Sequence, residues 1–429
     1  MNEDFLHYIW QFVNFNTIDL KLENGESLQI IHVGHHNLDA GPDFSQSRIK
    51  IDRMEWMGFV EIHLKSSMWN QHKHQHDPVY NGVILHVVYE HDEEICRADG
   101  SSIPTLILKD RIDPELISSY DRFSNSPEEI ICKPHWKSVN VVTKVNTIEK
   151  ALVNRLERKS ERVMELYEKY RGDWNEIAFK LMAENFGFKI NKEPFQLLVD
   201  SVSLPILSKV NNLSKVEAIF FGQAGFLAGR SPDKYHFMLK NEYHFLRNKY
   251  NLESKVLKQS LWRFGRLRPP NFPTLRIAQL ASVIHHEKHI FDLLTGSGSL
   301  QKIRQQLKPP VSEYWQNHYR FGLETSRKKS EIGGSSIDTL IVNTTIPLLV
   351  AYSKVHNRDE YMERAISYLQ LIKPESNRVV KKWQEAGYVC ESSADSQGVL
   401  ELFQTQCLQK RCLWCNIGTS ILNRTAANG

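Results

Sequence analysis

Residues 40–78 read AGPDFSQSRIKIDRMEWMGFVEIHLKSSMWNQHKHQHDP, and the fold of the N-terminal part turns on this stretch. Side chains of a strand alternate between faces with period two. Within GFVEIHLK that places Val60, Ile62 and Leu64 toward a core, and Glu61, His63 and Lys65 together on the other face. The preceding RIKI is apolar at Ile49 and Ile51, and the short DRMEW segment folds it back as a hairpin partner. Such a hairpin brings Asp43, just ahead of the first strand, close to Glu61. Two carboxylates on a sheet edge make an oxygen-rich site suited to Mg²⁺ or Mn²⁺. A base or cation beside them positions water and balances phosphate charge, a combination suited to phosphodiester hydrolysis.

Outward from this stretch, residues 1 to about 18 read as a helix, with Phe5, Ile9, Trp10, Phe12 and Val13 at helical spacing. Between about 27 and 135 short β-rich runs (SLQIIHV, SRIKI, GFVEIHLKSS, GVILHVVYE, TLILKD) alternate with turn residues. From about 145 the pattern is helical, beginning with a long amphipathic segment apolar at Ile148, Leu152, Leu156, Val163 and Leu166. We therefore expect an α+β fold: an N-terminal mixed α/β, nuclease-like domain (1–140), a large mostly helical region (141–385) and a cysteine-bearing C-terminal segment (386–429).

The 429 residues are 41% hydrophobic and 24% charged, an ordinary globular composition. No run of some 18 apolar residues marks a membrane span, and the N-terminus MNEDFLHYIWQFVNF lacks the basic start of a signal peptide. No membrane association and a cytoplasmic location are expected. The net charge of +4 is too small to imply a nucleic-acid partner by itself. No oligomeric state follows from the pattern.

Histidines crowd the same region. His63 is followed by His72, His74 and His76, by Asp77, and by His86 inside the apolar run VILHVV. His72 and His74 read as solvated residues of a polar segment, whereas His63, His76, Asp77 and His86 form an alternative set of ligands for Zn²⁺ or Fe²⁺. No HExxH helix accompanies them.

The pair Pro42-Asp43 followed eighteen residues after Asp43 by Glu61-Ile62-His63 resembles the PD-(D/E)xK nuclease motif. The resemblance implies that Asp43 and Glu61 hold Mg²⁺ or Mn²⁺ and that the residue two after the Glu orients the attacking water. Here that position holds His63, with Lys65 one step further along the same face. The segments AGPDF, DPVYNGVILHVVY, FGQAGFL, LRPPNFPTLRIAQLA and RCLWCNIG resemble domain-of-unknown-function family 2851 over nearly the full length, which implies no activity.

Near the end, CLQKRCLWC presents Cys407, Cys412 and Cys415, a spacing that suits Zn²⁺ or an iron–sulfur cluster, with Cys390, Cys132 or Cys96 as the fourth ligand. In outline this resembles PD-(D/E)xK exonucleases that hold such a cluster. In LWRFGRLRPPNFP, Arg263, Arg266 and Arg268 stand beside Trp262 and Phe264, so guanidinium groups for phosphates alternate with aromatics for bases. RLERKSER adds a second basic stripe, and both segments read equally as helix surface or loop anchoring. The glycines of FFGQAGFLAG lack phosphate-loop spacing and indicate close helix packing. The expected function is a metal-dependent nuclease-like phosphodiesterase. The alternatives are a catalytically inactive nucleic-acid or protein-binding module and a His-rich Zn/Fe enzyme.

Overall fold

The computed structural model describes residues 1–37, 40–253, 256–296, 298–326 and 330–427, with side chains described up to residue 423. The fold is α+β, a mixed sheet near the N-terminus followed by a mostly helical remainder. Two compact units form: Met1–Ala151, Ser376–Val389 and Gly398–Gly429 make the first, and Leu152–Glu375 with Cys390–Gln397 the second. The spans expected from sequence map onto these unevenly, since most of 386–429 packs within the first unit.

Helix α1 (Glu3–Gln11) is capped by Asn2, whose side chain accepts the Phe5 N–H, and carries Glu3 and Asp4 in its first turn, where the helix dipole favours negative charge. It buries Phe5, Leu6, Ile9 and Trp10. The apolar spacing predicts a longer helix, but the backbone turns left-handed at Val13 (φ 52°), and Phe12 and Val13 stay exposed.

Six strands form one sheet: β1 (Leu28–His32), β2 (His35–His36), β3 (Phe44–Ile51), β4 (Met54–Lys65), β5 (Val83–Glu90) and β6 (Thr105–Ile107), in the order β1-β3-β4-β5-β6 with β2 beside β3. Strands β3 and β4 are the hairpin read from the sequence, closing Ile51 against Met54. The turn is tight because Asp52 takes the left-handed conformation (φ 49°) that two-residue hairpin loops require. Strand β5 runs parallel to β4, and β6 parallel to β5. Val83 to Val88 are all buried, as expected of a parallel strand covered on both faces.

Parallel neighbours cannot be joined by a tight turn and need a crossover. Between β4 and β5 that crossover is residues 66–82, built from α2 (Met68–Gln71) and two short 3₁₀ turns, His74–His76 and Pro78–Gly82. The topology thus returns a polar, histidine-rich segment to β4, where the carboxylate of the hairpin lies. Helix α3 (Pro114–Ser124) packs on the C-terminal helix Asn416–Ala427 in the same unit.

The second unit is helical. Helix α4 (Val141–Lys169) begins in the first unit and ends in the second, and all five of its apolar positions picked out by periodicity are buried. The FFGQAG segment ends the helix Leu213–Gln223, and Gly222 presses against the ring of Tyr243, where a Cβ would lie 2.3 Å from ring carbons. Close packing, rather than phosphate binding, accounts for that glycine. One helical run, Gly334–His356, is long and apolar enough by composition to cross a membrane, and 67% of its most apolar window is buried within the fold.

Candidate metal centre

Strand register assembles the site. Phe44 pairs with Val60 across the antiparallel hairpin, and Glu61 pairs with His86 across the parallel ladder, so Asp43, Glu61 and His86 fall into one row over three strands. The Asp43 backbone N–H donates to Glu61 Oε2 (3.1 Å), and the Ile62 N–H donates to Asp43 Oδ2 (2.8 Å). The two carboxylates are therefore adjacent and locked to the hairpin backbone. Helix α1 adds His7, whose Nε2 lies 3.3 Å from Asp43 Oδ2. Sequence reading missed His7, because nothing local says which polar residue of an amphipathic helix will face a sheet 36 positions away.

The crossover brings the rest. His74 Nε2 lies 3.2 Å and His63 Nε2 3.6 Å from Glu61 Oε1, and His63 Nε2 lies 3.1 Å from His72 Nδ1. The ligand atoms of His63, His72 and His74 all fall within 4.8 Å of one another. Bonds of about 2.0–2.1 Å to a tetrahedral ion set ligand edges of about 3.3 Å, close to the 3.1 Å between His63 and His72. His74 Nε2 is buried beside Glu61 Oε1. On its other side His63 Nδ1 meets His86 Nε2 at 2.8 Å, a contact that fixes the ring and leaves Nε2 turned toward Glu61. The His74 ring stacks on Tyr80 (3.8 Å between centroids) and meets the edge of buried Trp69, so the crossover's own aromatics hold it.

Burial sets the protonation states. It raises the Glu61 carboxyl, an effect strengthened by the Asp43 charge and opposed by the hydrogen bond from His74. It depresses His63 to about 2, helped by His86, His74 and His72, and His86 to about 3. These imidazoles are neutral at pH 7, the form that binds metal. For His7, burial acts downward, but the hydrogen bond and charge of Asp43 outweigh it and raise the imidazole.

The remaining candidates lie elsewhere. Lys65, on the face shared with Glu61 and His63 by periodicity, is exposed at the strand end and 3.8 Å from Asp92. His76 is exposed, and exposed Asp77 caps the turn Pro78–Gly82 by accepting the Val79 N–H. It is His72 and His74, read from sequence as solvated, that the structure groups with His63, together with His86 behind them.

A second cluster forms in the same unit. Cys132, Cys407, Cys412 and Cys415 line one small cavity of about 20 Å³, walled by Phe123, Ile131 and Trp383. Cys390 is in the second unit and Cys96 is exposed, so of the three candidates for a fourth thiol the fold selects Cys132. Burial raises all four thiols, Cys412 to about 12, and proximity to other cysteines of the set raises Cys132, Cys407 and Cys412 further. The N–H groups of Gly418 and Ile417 act on Cys415 in the opposite direction. Trp414, between two of the cysteines, stacks on His36 (4.5 Å), which neighbours His7.

In the second unit the basic-aromatic segment divides. Trp262 is buried, donates its Nε1–H to Ala224 O (2.8 Å) and meets Phe195 edge-on, so it serves the core. Arg263, Arg266 and Arg268 are exposed and make no ion pair among the described residues. In the other stripe Arg155 donates to Gln397 and Arg162 pairs with Glu184, an anchoring role.

No curated protein and no solved structure matches this chain. The model of a family described as a protein of unknown function, DUF2851, matches residues 3–378, and the chain belongs to that family.

Proposed function

We propose that the first unit is a metal-dependent phosphodiesterase acting on nucleic acid, with the metal held by His63, His72 and His74, Glu61 beside it and a fourth position left open to water. The observation that carries this reading is the ligand geometry: three imidazoles with ligand atoms all within 4.8 Å of one another and a buried carboxylate 3.2 and 3.6 Å from two of them, with no Lys or Arg beside Glu61 among the described residues. Three imidazoles favour Zn²⁺, Mn²⁺ or Fe²⁺ over Mg²⁺, which prefers oxygen ligands. The metal supplies a water made nucleophilic at neutral pH and a Lewis acid for a phosphoryl oxygen. Glu61 balances the ion's charge, and His86 fixes the His63 tautomer. His7, whose imidazole Asp43 raises, takes the phosphate-balancing role expected of Lys65. The exposed Arg263, Arg266 and Arg268 are the proposed nucleic-acid contacts, acting through phosphates.

The four cysteines complete the reading as a structural cofactor site. A zinc ion, with bonds of about 2.3 Å, would set sulfurs about 3.8 Å apart. Among the described residues the only group with ligand atoms all within 4.8 Å is the histidine triad. The wider cysteine set favours a polynuclear iron–sulfur cluster held by Cys132, Cys407, Cys412 and Cys415. Iron and acid-labile sulfide in anaerobically purified protein, lost in Cys132→Ser, are the expected result; one zinc per chain at this site would contradict it.

The activity is tested by cleavage of labelled single- and double-stranded DNA and RNA with Mn²⁺, Zn²⁺, Mg²⁺ or EDTA, comparing wild type with Glu61→Ala. Metal-dependent cutting lost in the variant is expected. Absence of cutting by folded, metal-loaded protein on all four substrates would favour a binding module whose hydrolytic chemistry has lapsed.

A further inference from the structure

A second ligand site is built into the helical unit, around a buried cation that has no anion. Arg276, on the helix Pro273–His286, is 3% exposed. Its Nη1 donates to Gln279 Oε1 (3.0 Å), and its Nη2 to Asn271 Oδ1 (2.6 Å) and Ser336 Oγ (3.2 Å). All three acceptors are neutral, and no carboxylate pairs with it among the described residues. Its Nε–H is buried without a partner. A guanidinium has five donors, and leaving one unmade in a buried site costs more than an ordinary hydrogen bond contributes. Burial of an unpaired charge is costlier still. Elsewhere in the unit the buried lysine Lys180 does have its carboxylate, Glu176 at 3.0 Å.

The same Arg276 lines a cavity of about 200 Å³, together with Phe186, Phe188, Asn271, Pro273 and Ser336. The wall opposite the helix is a constrained turn. Phe188 sits at φ 48°, a left-handed conformation that a bulky residue adopts only when its surroundings impose it, and its ring lies 4.5 Å from the Arg276 guanidinium carbon. Asn191 ties that turn to the neighbouring segment through both its amide groups, accepting from the Arg263 N–H (2.8 Å) and donating to the Arg263 carbonyl (2.9 Å). A strained aromatic platform, a buried cation with a spare donor and a fixed frame make a ligand pocket rather than a packing flaw.

We propose that this cavity binds a small organic oxyanion, a carboxylate or phosphate ester on a compact apolar body, with its charge on Arg276 and its body against Phe186 and Phe188. Exposed Lys189, which also lines it, adds a second positive charge and no acid lines the cavity. The site is independent of the hydrolytic centre and of the reading given to it.

Phenyl phosphate and benzoate serve as probes and benzyl alcohol as the uncharged control, measured by calorimetry and thermal shift on the full chain. Wild type binds one equivalent of phenyl phosphate or benzoate and melts higher in its presence, while benzyl alcohol does neither; which anion binds tighter identifies the head group. Arg276→Gln loses at least tenfold in affinity. Leu267→Trp, which adds bulk to the cavity lining and keeps Arg276, blocks binding even where Arg276→Gln fails to fold. Equal binding by benzyl alcohol, no binding of either anion, or unchanged affinity in Leu267→Trp would overturn the proposal.

Discussion

The second unit surrounds Glu184 with the Arg162 and Lys192 cations, each at 3.0 Å, and gives Glu176 the Lys180 ammonium at 3.0 Å and the Leu204 N–H at 3.0 Å. The first unit buries Glu61 as deeply but offers it one backbone N–H and two imidazoles. A structural carboxylate is neutralised where it stands, because an unpaired buried charge costs several kcal/mol. Glu217 of the second unit also lacks a cation but accepts from the Tyr235 and Ser312 hydroxyls. Glu61 has neither cation nor hydroxyl among the described residues, and on the proposed reading its charge is left for a cation from solution. The contrast separates buried charge that holds a fold together from buried charge kept for chemistry.

The largest effect tests that contrast directly. Glu61→Gln should reduce cleavage to background while the metal-free protein keeps or gains thermal stability, since a desolvated carboxylate has been removed. Glu184→Gln should do the reverse, with activity kept and stability lowered by about 1–3 kcal/mol in denaturant unfolding, the range for orphaning charged partners. The half-open Arg162 and Lys192 place it toward the lower end. Next in size, His86→Leu should weaken metal binding by roughly 10–100-fold in a competition titration without abolishing it, as loss of an outer-shell orienting contact does.

Acid sharpens the comparison. Burial pushes His63 and His86 down from the ordinary imidazole value of 6.5 to about 2 and about 3. The unfolded chain therefore takes up protons first, and the contribution of these residues, fully present above 6.5, is lost as pH falls from there toward their folded values. Metal-free protein should thus show a falling melting temperature below pH 6.5, and the fall should be steeper when metal is bound, because bound metal keeps its imidazole ligands unprotonated in the folded chain. The smallest effect concerns the exposed arginines: Arg266→Ala should leave folding unchanged and reduce the salt dependence of nucleic-acid binding by about one counterion.

The β3–β4 hairpin was legible in the sequence because period two and a turn signal are local, and the meeting of Asp43 with Glu61 followed from it. The long helix α4 was legible for the same reason. What escaped was whatever depends on the parallel ladder. The sequence reading favours His76 and Asp77 over His72 and His74 as ligands, and only the crossover path decides which imidazoles meet His63. His7 was invisible as a partner, and Cys132 could not be told apart from Cys390 and Cys96, because both meet their sites from distant parts of the chain, through packing that leaves no local period. Trp262 misled for a related reason: beside arginines a tryptophan reads as a stacking platform, yet its indole is bonded inside the core.

The most direct test is a Zn²⁺ and Mn²⁺ titration of metal-free protein by calorimetry, wild type beside Glu61→Gln, with both chains carrying Cys132→Ser to remove the cysteine site from the count. One equivalent bound by the first and binding at least tenfold weaker by the second is the outcome expected if Glu61 and the three histidines form the centre. Equal stoichiometry and affinity in the two proteins would contradict it.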